Sequence, residues 1–300
     1  MSGTGHERAL TCHTILGTHS AEMNYCMCLL LLIAGVSTVV GNPAAGQQWR
    51  WESPLPARSP KPAGSGGLGT RIVGGTESRP HQWPHMVALF VDDVIFCGGS
   101  LISDQWVVTA AHCMDRSAFV KVIMGAHNIQ EDEPTQVTLT SEDIIVHEEW
   151  DSHTLKNDIA LIRLPEAVTL NEYISSIGLP DTDLPYGTPV TATGWGFTSD
   201  GSSGISNVLN QVTMNVIERD VCDAIFGEQG EGVLCVDASG GGICDGDSGG
   251  PLVRENRLYG ITSYASALGC ESGWPEGFTR VLHYLAWIEE QTGLKPGDSY

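Results

Sequence analysis

The brevity of its apolar runs is what most limits how this 300-residue chain can fold. From Ile72 on, Met86–Val91, Val120–Met124, Ile159–Leu164 and Val212–Ile217 are aliphatic or alternating segments of strand length, and Gly, Pro and Asp separate them. Short runs of this composition between turn residues are the mark of strands. Their number and even spacing predict an all-β protein, a barrel or a sandwich. Helical spacing is found only at the end. Val281, Tyr284, Leu285 and Ile288 share one face at i, i+3, i+4 and i+7, and Gly293 and Pro296 stop the pattern, so a helix is expected over about 281–292.

The first seventy residues read differently. An apolar segment from about Cys26 to Val40, centred on Leu29–Val36, has the length of a signal-peptide h-region and is short for a membrane span. Only Arg8 precedes it as a positive charge, and the small residues from Gly41 to Gly46 offer cleavage points. A leader is therefore expected over 1–46. Residues 47–71 hold Trp49-Arg50-Trp51, four prolines (Pro54, Pro56, Pro60, Pro62) and Gly64-Ser65-Gly66-Gly67, a composition that cannot bury a core and reads as an exposed linker ending at Arg71. A single globular domain is expected over 72–300.

Chemistry concentrates in three places. Cys244-Asp245-Gly246-Asp247-Ser248-Gly249-Gly250-Pro251 sets one serine among glycines, where backbone N–H groups can face a developing negative charge. Thr109-Ala110-Ala111-His112-Cys113 follows the apolar run Trp106-Val107-Val108, and Asn157-Asp158 opens the run Ile159–Leu164. A serine hydroxyl is a weak nucleophile that needs a base, and the base needs an orienting acid. His112, Asp158 and Ser248 occur in one of the chain orders known for that machinery.

With these residues the chain resembles the chymotrypsin-like serine peptidases over roughly 71–293. Cys97-Gly98-Gly99-Ser100-Leu101-Ile102-Ser103, Gly125-Ala126-His127-Asn128-Ile129, Gly260-Ile261-Thr262-Ser263-Tyr264 and Gly273–Val281 are similar to the crab-collagenase (brachyurin) branch. The resemblance implies two packed six-stranded antiparallel β-barrels, about 72–185 and 186–280, followed by the C-terminal α-helix. The active site would lie in the cleft between them. It implies a catalytic triad of His112, Asp158 and Ser248, with the N–H groups of Gly246 and Ser248 as oxyanion hole. It further implies an activation propeptide over 47–71, cut after Arg71 by a trypsin-like protease, which frees Ile72 to pair with Asp247.

The same resemblance places Gly242 and Ile243 at the floor of the primary pocket and Ser263, Tyr264 and Ala265 on one wall. A trypsin would have an aspartate where Gly242 stands. Glu276 falls on another wall, where it either points inward as a displaced acid or is a solvated loop carboxylate. A chymotrypsin-like to broad specificity is expected, and the branch implies digestion of dietary protein, native collagen included. Two other readings are an inactive homologue acting as a binding or regulatory module and a membrane-anchored peptidase. The intact triad opposes the first and the short apolar segment opposes the second.

Nine cysteines point to an oxidising compartment. Cys12, Cys26 and Cys28 fall in the leader, and the six after Ile72 allow fifteen pairings. The resemblance selects Cys97 with Cys113, Cys222 with Cys235 and Cys244 with Cys270. Of the 15 basic and 36 acidic residues, five and three precede Ile72, which leaves a formal charge of −23 on residues 72–300. So acidic a surface opposes binding to nucleic acid or to anionic membranes. No cofactor is expected, and no metal: the loop that binds calcium in trypsins starts here with Ala126, and Glu131, Asp132 and Glu133 lack a ligand spacing. Expected partners are protein or peptide substrates, the activating protease and protein inhibitors of proteases. The product is expected to be a secreted, extracellular monomer.

Overall fold

The computed structural model describes residues 72–296. The leader, the activation segment and Arg71 lie outside the described residues. In chain order the strands are β1 (Thr76–Glu77), β2 (Met86–Val91), β3 (Ile95–Leu101), β4 (Trp106–Thr109), β5 (Val120–Met124), β6 (Val137–Ser141), β7 (Ile144–Val146) and β8 (Ala160–Arg163). They continue as β9 (Pro189–Gly194), β10 (Asn210–Val216), β11 (Val233–Asp237), β12 (Pro251–Arg254), β13 (Arg257–Tyr264) and β14 (Glu276–Arg280). Three α-helical segments accompany them: α1 (Ala111–Met114), α2 (Arg219–Phe226) and α3 (Leu285–Thr292).

Every strand pairing is antiparallel, and the strands form two sheets. One runs β6-β5-β2-β3-β4-β8-β7 and is left open between its two ends. In the other, β10-β11-β14-β13-β12-β9 closes on itself through a β9–β10 ladder, and β1 adds to the outside of β10. Closure removes the sheet edges that would otherwise expose unpaired backbone groups. Side-chain alternation follows the expected period of two: in β5 Val120, Val122 and Met124 are buried while Lys121 and Ile123 are less so, and β10 alternates likewise.

The chain ends cross between the sheets. Strand β1, inside the 72–185 stretch, is hydrogen-bonded to the ring and not to the open sheet, with Thr76 opposite Gln211. The C-terminal segment reaches the other way, from the ring to the open sheet. Val281, Tyr284, Trp287 and Ile288 share one apolar cluster with Val107, Leu161 and Ile162 of the open sheet and with Val253, Leu258 and Ile261 of the ring. The helix is preceded by a 3-10 turn over Val281–Tyr284.

Helix α2 was not foreseen from periodicity. Val221, Cys222, Ile225 and Phe226 recur at helical spacing, but the segment is only two turns long, the length of a strand, and of its eight residues only Cys222 is buried. Its place is fixed by the Cys222–Cys235 disulfide to β11. The other disulfides join Cys97 to Cys113 and Cys244 to Cys270.

Candidate active site

Strand β4 ends at Thr109, and α1 carries His112 one turn later. The Cys97–Cys113 disulfide anchors that turn to β3. Asp158 lies just before β8, which pairs with β4, and it is 1% exposed. Its carboxylate accepts three hydrogen bonds. Oδ1 takes the backbone N–H of His112 at 2.9 Å, while Oδ2 meets His112 Nδ1 at 2.7 Å and takes the Ser263 hydroxyl at 2.6 Å. The Asp158 carbonyl accepts the Thr279 hydroxyl at 2.6 Å. Burial works against a charged His112, but the Asp158 charge and its hydrogen bond outweigh that, and the imidazole pKa rises above its ordinary value.

Gly98 of β3 ties the serine loop to the strand that delivers His112. Its carbonyl accepts the Thr109 hydroxyl at 2.8 Å, and its N–H donates to the Ser248 carbonyl at 2.7 Å. Within the loop, the amides of Asp247, Gly249 and Gly250 donate to Cys244, Thr262 and Asp247 carbonyls at 3.0, 2.8 and 2.9 Å. The amides of Gly246 and Ser248 donate to no acceptor among the described residues. Both residues are partly exposed, and Gly246 has φ +94°, a backbone conformation that glycine adopts without penalty. Two unspent donors one residue apart are what an anionic oxygen would use.

Beneath the loop lie two buried acids. Asp247 is 1% exposed and accepts the N–H groups of Gly196 at 2.8 Å and Cys244 at 3.0 Å. Burial pushes its pKa up to about 7 against those two hydrogen bonds, and Asp245 adds to the push. Ile72 is fully buried in the apolar core of the ring.

Glu276, at the start of β14, is 2% exposed. Its Oε2 accepts the Ile243 N–H at 3.0 Å. A Cβ placed on Gly242 would lie 2.1 Å from its Oε1, so the carboxylate fills the space a side chain at 242 would need. Burial raises the Glu276 pKa to about 8, the Ile243 hydrogen bond opposes it, and Asp247 adds to it. The amides of Ile243 and Cys244, adjacent in sequence, thus donate to two different acids.

Tyr264 and Ala265 line a groove of about 660 Å³, with Leu155, Phe226, Leu268 and Trp274 among its other walls. Tyr264 meets Phe226 edge-on at 5.0 Å, while Leu268 and Trp274 stand exposed at 66% and 42%. Among the described residues no cluster of His, Cys, Asp and Glu has the geometry to hold a metal ion. In the loop after Gly125, Glu133 turns inward: its Oε2 accepts the His127 N–H at 2.7 Å and its Oε1 the Asn128 N–H at 3.0 Å. No described helix is long and apolar enough to cross a membrane.

The structure therefore brings together His112, Asp158 and Ser263, sets the Ser248 loop against the same strand, and turns Glu276 onto Gly242. Sequence reasoning missed the hydrogen bonds of Ser263 and Thr279 to Asp158, and the inward turn of Glu133. Glu133 had a weak signal, as an acid within reach of the amides at 127 and 128.

Comparison with known proteins gives a consistent picture. Residues 72–288 match the family described as Trypsin. The chain is 55% identical to brachyurin of Leptuca pugilator over 226 residues, covering 75% of this chain and 100% of that protein. It is 37% identical to trypsin I-P1 of Gallus gallus over 73% of this chain and 88% of that one. It is also 37% identical to chymotrypsin-like elastase family member 1 of Canis lupus familiaris, over 73% and 91%.

Proposed function

The chain belongs to the trypsin family, and on that footing we propose that it is made as a secreted zymogen, cut after Arg71, that hydrolyses peptide bonds with chymotrypsin-like to broad specificity. It is a serine endopeptidase of chymotrypsin type and acts on protein substrates. The observation that carries the site assignment is the joint arrangement at Gly98, which ties the Ser248 loop to the strand leading into the His112–Asp158 pair and leaves two amides unspent.

In this reading His112 Nε2 takes the proton of the Ser248 hydroxyl as its oxygen attacks the substrate carbonyl carbon. The carbonyl oxygen, now an anion, is received by the N–H groups of Gly246 and Ser248. Asp158 holds Nδ1 as the protonated nitrogen and stabilises the imidazolium. The imidazolium then gives its proton to the leaving amine, and water repeats the sequence on the acyl-enzyme. Removing one such amide donor costs on the order of 100-fold in rate.

Activation follows from Asp247. A carboxylate so deeply buried is costly to ionise, and a cation beside it removes most of that cost. The α-ammonium freed at Ile72 by a cut after Arg71 is that cation. Trypsin treatment of wild-type protein should unmask activity and fluorophosphonate labelling, Arg71→Gln should stay silent, and Ser248→Ala should never label. Full activation of Arg71→Gln by trypsin would refute the zymogen reading, and labelling of Ser248→Ala at the active site would refute the nucleophile.

For specificity, the lack of an aspartate at Gly242 supports apolar side chains before the scissile bond, the apolar groove lined by Tyr264 and Ala265 supports apolar ones beside them, and the acid behind Gly242, once ionised by a cationic partner, supports some acceptance of Arg and Lys. Glu276→Gly should lower cleavage after Arg or Lys relative to Phe in a peptide library; an unchanged ratio removes Glu276 from the pocket. Native collagen is the macromolecular substrate to try, given the likeness to brachyurin.

A further inference from the structure

Asp158 can brace His112 only while its carboxylate keeps one direction, because it accepts three hydrogen bonds at once from His112 N, His112 Nδ1 and the Ser263 hydroxyl. The residue before it sits in an unusual backbone conformation. Asn157 has φ +58°, a left-handed conformation that asparagine tolerates better than most residues. Its side chain is held at both ends. Nδ2 donates to the Glu149 carbonyl at 2.8 Å, which closes the 149–157 loop on itself. Oδ1 accepts the hydroxyl of Tyr284 at 3.1 Å.

Tyr284 is the last residue of the turn leading into α3 and is 5% exposed. Burial pushes its pKa up to about 12, with the Asp158 charge adding to the push, so the phenol stays a donor throughout the neutral range. Its neighbours hold it in turn. His147 packs edge-on to Tyr284 at 5.5 Å and lies 5.0 Å from Trp287, whose Nε1 donates to Glu148 Oε2 at 2.9 Å. The C-terminal segment therefore grips the 147–158 loop at both of its ends.

We propose that Tyr284 and Asn157 form a positioning pair for Asp158: through the Tyr284 hydroxyl, the C-terminal helix fixes the left-handed turn at Asn157 and so the direction in which Asp158 presents its carboxylate to His112. The inference rests on the triad reading given above. Neither residue touches the reacting atoms. Removing the hydroxyl leaves the Asn157 oxygen without its tyrosine donor and frees the turn, while the apolar packing of the ring stays in place.

The test uses activated enzyme and a small chromogenic peptide with an aromatic residue before the scissile bond. Tyr284→Phe should lower kcat about tenfold with KM unchanged, well short of the 100-fold that a misplacement of about 1 Å can cost. The acid limb of kcat/KM should move down toward the ordinary histidine value, because Asp158 then supports the imidazolium less well. Asn157→Gly keeps the backbone conformation but deletes the side chain. It should show the same two changes, and the double variant should lose little more than either single one. Unchanged kcat and acid limb in both variants, with only a lower Tm, would overturn the proposal and leave a packing role. So would losses that add in the double variant. Fluorophosphonate labelling separates this failure from that of the parent reading. If wild-type enzyme does not label at Ser248, the triad reading falls and takes the pair with it. If wild type labels and both variants label at its rate, the pair alone falls.

Discussion

Placing a methyl group on Gly242 probes the acid behind it. The backbone at this position is not in the left-handed region, so alanine meets no conformational penalty there. What it meets is Glu276, with a Cβ 2.1 Å from Oε1 and 2.6 Å from Cδ. The carboxylate must withdraw, and withdrawal breaks its hydrogen bond to Ile243 N. Leaving the buried Ile243 amide unsatisfied costs about 1–3 kcal/mol and overpacking typically about 1–3 kcal/mol, so Gly242→Ala should destabilise by roughly 2–6 kcal/mol. At about 2–4 °C per kcal/mol for a domain of this size, Tm should fall by roughly 4–24 °C. Glu276→Ala carries its own cost but empties the space, so the methyl group in the double variant should cost about 0.5 kcal/mol or less. The coupling between the sites is then several kcal/mol and opposite in sign to the two single losses. The cycle is measured by thermal unfolding in a Ser248→Ala background, which prevents self-digestion. Additive effects, or a Gly242→Ala protein as stable as its parent, would show that Glu276 does not occupy the space behind Gly242.

Three further outcomes follow from the same contacts. Because Asp158 raises the His112 pKa and only the neutral ring can act as base, kcat/KM should fall on the acid side with a midpoint above about 6.5, the ordinary histidine value; a midpoint below it would contradict the pairing. Glu133 satisfies the amides of His127 and Asn128, so excess chelator should leave Tm unchanged while Glu133→Ala lowers stability by about 1–3 kcal/mol, and a fall in Tm with chelator would point to a bound cation. Replacing Cys97 and Cys113 together by serine should cost about 3 kcal/mol, as expected for a loop of this length, read from urea unfolding; a loss below about 0.5 kcal/mol would mean that the crosslink does not hold the His112 turn.

Much of the fold was legible because strands announce themselves by short apolar runs, and β2, β5, β8 and β10 fall where those runs do. The residues of the His112–Asp158 pair were legible because each stands at the mouth of such a run. The direction of the Glu276 side chain was not, since β14 is buried on both faces over Glu276–Thr279 and alternation cannot tell which way a side chain points there. The hold on Asp158 by Ser263, Thr279 and Asn157 was also hidden. It joins positions 105, 121 and 1 residue away along the chain, and only the packing of β8 beside the ring brings the first two within reach.

The crossed ends of the chain have a consequence for survival. A peptidase is exposed to its own activity, and the segment joining its two halves, residues 165–188, is where a nick would be expected to part them. It would not do so readily here. The opening strand is stitched into one half and the closing helix is seated on the other, so a molecule severed in the middle stays fastened twice over. Damage to the connecting strip should leave a nicked but assembled enzyme, able to keep working until one of its two outer clasps is cut as well.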